Sequence, residues 1–165
     1  MNKAKQILLR ALSDPEARLD VEKSRKLMNL KTLDPLKPFY RTLDTKFYRE
    51  GREIPIRIYF PDTESYEALE DMEKGTMEDN VYPVHGGGFV TESVDSYNRV
   101  CCNLAKHTGH VVVAIDYPLA PEYRFPTQIE DCYAVAKAVF ADRSLLNTDP
   151  DSITIMGDSA GGNLT

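Results

Sequence analysis

Ile153-Thr154-Ile155-Met156-Gly157-Asp158-Ser159-Ala160-Gly161-Gly162 is the stretch whose reading decides the fold. Its first four residues make a short apolar strand, and residues 157–161 fit the pattern G-x-S-x-G, a serine carried on a sharp strand-to-helix turn. A residue at such a corner takes a strained backbone conformation, so the positions two residues away on either side have no room for side chains. Gly157 and Gly161 meet that need. The Ser159 hydroxyl then projects at the C-terminal edge of the sheet, where open α/β sheets bind ligands. Residues 162–165 can begin the following helix, whose free N–H groups and dipole favour developing negative charge. The alternative is an ordinary glycine-rich turn between a strand and a helix.

A second motif bears on the same chemistry. His85-Gly86-Gly87-Gly88-Phe89 follows the apolar residues 81–84 and precedes a helix expected over residues 95–107. Acyl transfer passes through a tetrahedral oxyanion, which backbone N–H groups can approach only where side chains are absent. A glycine triplet provides such a loop. The donors come from it and from the residue after the serine, Ala160. Losing one such donor costs roughly 3 to 4 kcal/mol in the transition state. Neither G-x-G-x-x-G nor G-x-x-x-x-G-K-[ST] occurs, so dinucleotide-binding and P-loop readings fail.

Working outward, residues 111–115 form a continuous apolar run, as in a strand buried on both faces. Residues 127–140 read as a helix with Ile129, Tyr133, Ala136 and Phe140 along its apolar face. From residue 81 the order strand, helix, strand, helix, strand implies a parallel sheet covered by helices on both faces. Upstream, residues 43–49, the Glu50-Gly51 turn and the alternation of Ile54, Ile56 and Ile58 with Pro55, Arg57 and Tyr59 read as an antiparallel hairpin. Residues 62–80 are acidic, with Lys74 the sole base and no His or Cys among them, and read as a solvated connector in preference to a metal site. Two helices are expected at the N-terminus, over residues 2–12 and from Pro15 to about residue 30. The strand before His85 is short and contains Pro83, which cannot donate to a ladder. A damaged strand, with a small deletion after Pro83, is the expectation.

The 165 residues carry a net charge of −6, which argues against nucleic-acid or anionic-membrane partners. Cys101, Cys102 and Cys132 make a poor disulfide framework and read as reduced, buried thiols. No segment reaches transmembrane length. The apolar patch at residues 7–9 is cut by Arg10, with no signal-peptide pattern, so a cytoplasmic protein is expected. Oligomeric state is not legible.

Four motifs, His85-Gly86-Gly87-Gly88-Phe89, residues 116–122 (Asp-Tyr-Pro-Leu-Ala-Pro-Glu), Phe125-Pro126 with Asp131, and residues 157–164, stand in an order that resembles the hormone-sensitive-lipase-like family of α/β-hydrolases. The resemblance implies an α/β-hydrolase fold, with residues 1–34 as lid helices and residues 35–165 as a partial hydrolase domain. It implies Ser159 as nucleophile and Gly87, Gly88 and Ala160 as oxyanion-hole donors. His85, Gly86, Asp158, Gly157 and Gly161 would be structural supports. Asp116 and Glu122 would hold the loop after the fourth strand. The substrates implied are carboxylic esters of short to medium acyl chains, with no cofactor and no metal.

The chain departs from the family pattern by ending at Thr165, six residues after Ser159. Family members take the triad acid and histidine from later sequence. Of the histidines present, His85 precedes the glycine loop, and His107 and His110 flank the entry to the 111–115 strand, at the edge opposite Ser159. A serine without its base is a weak nucleophile. An inactive N-terminal portion of a serine esterase, a non-catalytic ligand-binding relative and a non-functional remnant are the three readings this leaves. The strand at residues 153–156 becomes an apolar sheet edge, which favours aggregation. The isolated 165-residue chain is expected to be marginal, aggregating or partly unfolded. A sharp cooperative melt of a soluble monomer would contradict this.

Overall fold

The computed structural model describes residues 20–29, 35, 40–63, 67, 80–141 and 150–165. The helix expected over residues 2–12 and most of the acidic connector lie outside the described residues. Helix α1 (Val21–Asn29) falls within the second expected helix. It is followed by β1 (Thr42–Arg49), β2 (Arg52–Tyr59), β3 (Asn80–Val84), α2 (Val94–Thr108), β4 (Val111–Ile115), α3 (Thr127–Ala141), β5 (Ile153–Gly157) and α4 (Ala160–Leu164). The strands form one sheet in the order β1-β2-β4-β3-β5. The hairpin is antiparallel, turned at Glu50-Gly51, and β2 also runs antiparallel to β4. Strands β3, β4 and β5 are parallel.

Period-two alternation divides the strand residues between two apolar layers. Val81, Val112 and Ala114 face α2, packing on Cys101, Cys102 and Ala105. Val84 and Ile115 pack with Cys132 and Val135 of α3, and Tyr82, Val111 and Val113 with Val139 of the same helix. Burial of every β4 residue bears out the reading of 111–115 as a strand covered on both sides. Tyr59, on the alternate face from the hairpin isoleucines, is also buried, because α2 covers it and Asn98 accepts its hydroxyl at 2.6 Å.

Helix α2 begins at a capping box between Ser93 and Ser96 and ends at Gly109, whose left-handed conformation (φ 75°) lets its N–H close on Ala105. Two expectations need correction. Strand β3 is short but formed despite Pro83: all five residues are buried, and its register with β5 continues through Pro83 to Val84. Pairing with β4 skips Tyr82 and Pro83 and resumes at Val84, which accommodates the missing proline N–H.

The apolar face of α3 is also not the one expected. Ile129, Tyr133 and Phe140 are exposed, Tyr133 by 66%, and the helix buries Gln128, Asp131, Cys132 and Val135 instead. A charge sets the rotation. Asp131, with no exposed surface, accepts from Arg49 at 2.9 Å and from both terminal nitrogens of Arg52 at 2.8 and 2.7 Å. A buried carboxylate must be paired, and only this rotation aims it at the hairpin arginines. Asp131→Ala should lower stability by roughly 3 to 5 kcal/mol, the cost of breaking a buried ion pair. The drop in urea midpoint, followed by circular dichroism in a polypeptide that completes the sheet beyond β5, checks this.

Candidate active site

Strands β3 and β5 are parallel neighbours in full register, from Asn80 opposite Ile153 to Val84 opposite Gly157. The segments that follow them, His85–Gly88 and Asp158–Ala160, therefore leave the sheet side by side at one edge. Ser159 takes φ 52° and ψ −118°, an uncommon conformation for a residue with a Cβ, and lies exposed at the entrance to α4. The two turns press together. A Cβ on Gly161 would stand 1.9 Å from the carbonyl oxygen of Val84, and one on Gly157 would meet the Gly161 carbonyl at 2.4 Å. The glycines read from spacing alone are thus required by contact.

The glycine loop is fixed through its carbonyls. The Tyr117 hydroxyl donates to His85 O at 2.8 Å and to Gly86 O at 3.1 Å. His85 Nδ1 lies 2.9 Å from Gly86 O, so the tautomer protonated at Nδ1 donates there. Gly87 O accepts from the amides of Val90 and Thr91 and from the Thr91 hydroxyl. Gly87 has φ 103°, and a Cβ there would collide with Thr91 O at 2.1 Å.

His85 is buried and stacked on Tyr117, with ring centroids 4.1 Å apart. Its Nε2 makes no hydrogen bond among the described residues and stands 3.7 Å from Asp116. Burial pushes its pKa below the ordinary value, against the opposing pull of the Gly86 hydrogen bond and of Asp116, Glu92 and Asp158. Asp116 accepts the N–H of Val94 at 2.9 Å, at the start of α2. Glu122 reaches a more distant partner. Its carboxylate takes two hydrogen bonds of 2.7 Å from Arg25 on α1, whose guanidinium also donates to the carbonyls of Val90 and Ala120 at 2.8 Å. Arg25 holds the Glu122 carboxyl down to about 2. A cleft of about 480 Å³ opens here, lined by Arg25, Glu92, Ser93, Leu119, Glu122 and Tyr123.

His107, in the last turn of α2, and His110, just before β4, lie at the sheet edge where β3 and β5 begin, opposite the edge that carries Ser159. Tyr97, Tyr117 and Arg25 were not singled out by sequence reasoning. Tyr117 stood inside a quoted motif with no role assigned. Tyr97 contacts Asp158 across 61 positions, a separation that leaves no local signal.

A family model for the α/β-hydrolase fold matches residues 81–165. The chain is 32% identical over 156 residues to an ethyl acetate hydrolase of Pseudomonas putida, covering 94% of this chain and 46% of that protein. A carboxylesterase of Mycobacterium tuberculosis is 33% identical, with 89% and 43% covered. Among solved structures, an esterase of Pyrobaculum calidifontis superimposes with a TM-score of 0.74 at 36% identity, covering 98% of this chain and 49% of that one. The chain belongs to the α/β-hydrolase fold family, as the hormone-sensitive-lipase-like resemblance of its motifs implies. It spans about half the length of the curated relatives it matches.

The buried imidazole carries a pH signature. The unfolded chain takes up a proton at His85 as pH falls through about 6.5, and the folded chain resists it. Folding stability should therefore decline as pH drops below about 6.5. In a polypeptide that completes the sheet beyond β5, His85→Asn should flatten the pH dependence of the melting temperature between about pH 7 and 5, where this histidine titrates in the unfolded chain.

Proposed function

We propose that this chain supplies the nucleophile and the oxyanion-binding backbone of a serine hydrolase that cleaves carboxylic esters of short to medium acyl chains. The observation that carries the reading is the juxtaposition of Ser159, in its strained and exposed turn, with a glycine loop whose carbonyls are tied back into the fold. Ser159 Oγ attacks the ester carbonyl carbon and gives its proton to a histidine. The carbonyl oxygen becomes an oxyanion held by the N–H groups of Gly87, Gly88 and Ala160. Collapse of the tetrahedral intermediate expels the alcohol, which takes that proton, and water then hydrolyses the acyl-serine.

The reading assigns the histidine and the triad acid to positions outside residues 1–165. His85 serves as a strut for the loop, and His107 and His110 stand at the wrong edge. Helix α1, fastened by Arg25 over the loops at Val90 and Ala120, acts as part of a lid beside the cleft that Leu119 and Tyr123 line. A cytoplasmic setting accords with three buried cysteines that form no disulfide, of which burial pushes Cys101 and Cys132 up to about 12. The placement of the histidines favours a second reading, a non-catalytic module that binds an ester or acid in the same cleft.

A polypeptide joining this chain to a segment with the triad Asp and His is expected to hydrolyse p-nitrophenyl butyrate. Ser159→Ala should reduce its kcat by roughly 10⁴-fold or more. The 165-residue chain alone should show no turnover above that of the same chain carrying Ser159→Ala. Saturable binding of butyrate with no Ser159-dependent turnover in the joined polypeptide would favour the binding module.

A further inference from the structure

The hydroxyl of Tyr97 sits where the two turns meet. It accepts a hydrogen bond from the N–H of Gly86 at 3.1 Å and lies 2.9 Å from each carboxylate oxygen of Asp158, to which it donates. The carboxylate itself rests against the loop: a Cβ on Gly86 would stand 2.7 Å from Asp158 Oδ2. A carboxylate and a backbone N–H face each other here with the phenol between them, relaying one hydrogen bond into the next. The Gly86 residue is thereby gripped at both ends, its N–H by Tyr97 and its carbonyl by Tyr117 and His85.

The tyrosine comes from a third element that is itself anchored. Its helix, α2, is fixed at the N-terminus by the Ser93–Ser96 capping box and by the bond from Val94 N–H to Asp116. The Tyr97 ring packs on the apolar layer under α2, so the backbone, ring and hydroxyl form one rigid strut. Burial, reinforced by Asp158, pushes the phenol up to about 12, and it remains a donor across the neutral range.

We infer that Tyr97 is a positioning residue of the proposed active site: its hydroxyl ties the glycine loop to the serine turn and sets the spacing between the Gly87 and Gly88 amides and Ser159. The inference rests on the hydrolase reading for its chemistry, but the tether is a property of the fold and can be measured without turnover. A donor that drifts by about an ångström from the oxyanion loses much of its value, on the order of 10²-fold in rate for a misplaced group. Loss of the tether leaves the substrate-binding walls in place, so the effect falls on kcat and not on KM.

The test is amide hydrogen exchange, together with kinetics, on the joined polypeptide described above. Tyr97→Phe keeps the ring and removes only the hydroxyl. It should speed exchange about five- to tenfold at the Val90 and Thr91 amides, which bond to Gly87 O, and at the Gly161 amide, which bonds to Asp158 O. None of these amides bonds to Tyr97, so a change confined to the lost bond would leave them unaltered. Asp158→Ala should match Tyr97→Phe, the double variant should be no worse than either alone, and Asp158→Asn, which keeps an acceptor for the phenol, should stay near wild type. Kinetically, Tyr97→Phe should lower kcat about 10- to 100-fold with KM within about twofold of wild type. Unchanged exchange at all three amides, or additive effects in the double variant, would overturn the tether. Wild-type turnover no greater than that of Ser159→Ala would instead sink the hydrolase reading and leave the exchange result to decide the tether alone.

Discussion

The rest of the site depends on one steric constraint, the contact of two backbone turns with no side chain between them. Gly161 lies so close to the carbonyl of Val84 that a methyl group would overlap it. That contact is possible because β3 and β5 run parallel in register and end together, Val84 opposite Gly157. The exposed serine and the glycine loop then share an edge as a consequence of topology. A strand slipped by one residue would separate them and turn each buried face outward.

Contact alone would leave a glycine loop free to move, since glycine loses more conformational entropy on ordering than any other residue. The structure offsets this with hydrogen bonds from larger, well-packed side chains. Tyr117, His85 and Thr91 hold the loop carbonyls, and Tyr97 holds the first glycine amide. A site that stabilises a developing oxyanion gains from donors that need no reorganisation during the reaction. Bonding the carbonyls is the way a backbone can be fixed while its amides stay available.

Much of this was legible in the sequence because it is local. The glycine spacing around Ser159, the hairpin turn and the doubly buried run at Val111–Ile115 each state their meaning within a few positions. What was missed is set by long-range charge or contact. Helix α3 offers two competing apolar stripes, and the one with Ile129 and Tyr133 is the stronger by pattern. The buried one is chosen because Asp131 must meet Arg49 and Arg52, about 80 positions upstream. Pro83 reads as a break in a central strand, but the gap falls in pairing with β4 alone, and the ladder with β5 carries the strand through. Glu122 was read as a brace for its own loop, and its partner Arg25 lies on α1. Sequence gives the residue types that such pairings need and not the neighbour that answers them.

The buried histidine shows how structure and chemistry divide the work at this edge. His85 has its Nδ1 committed to the Gly86 carbonyl, its ring stacked on Tyr117 and its Nε2 enclosed, with burial favouring the neutral form. A general base must reach the nucleophile's proton and become charged when it takes it. Every feature that makes His85 a good strut opposes that role. Under the proposed hydrolase reading, a base for Ser159 must instead approach from the open side of the turn, where the serine is exposed, and carry its own partner for the charge. The same enclosure that gives the glycine loop its rigidity therefore separates the residue that supports the proposed oxyanion site from any residue that would move the proton.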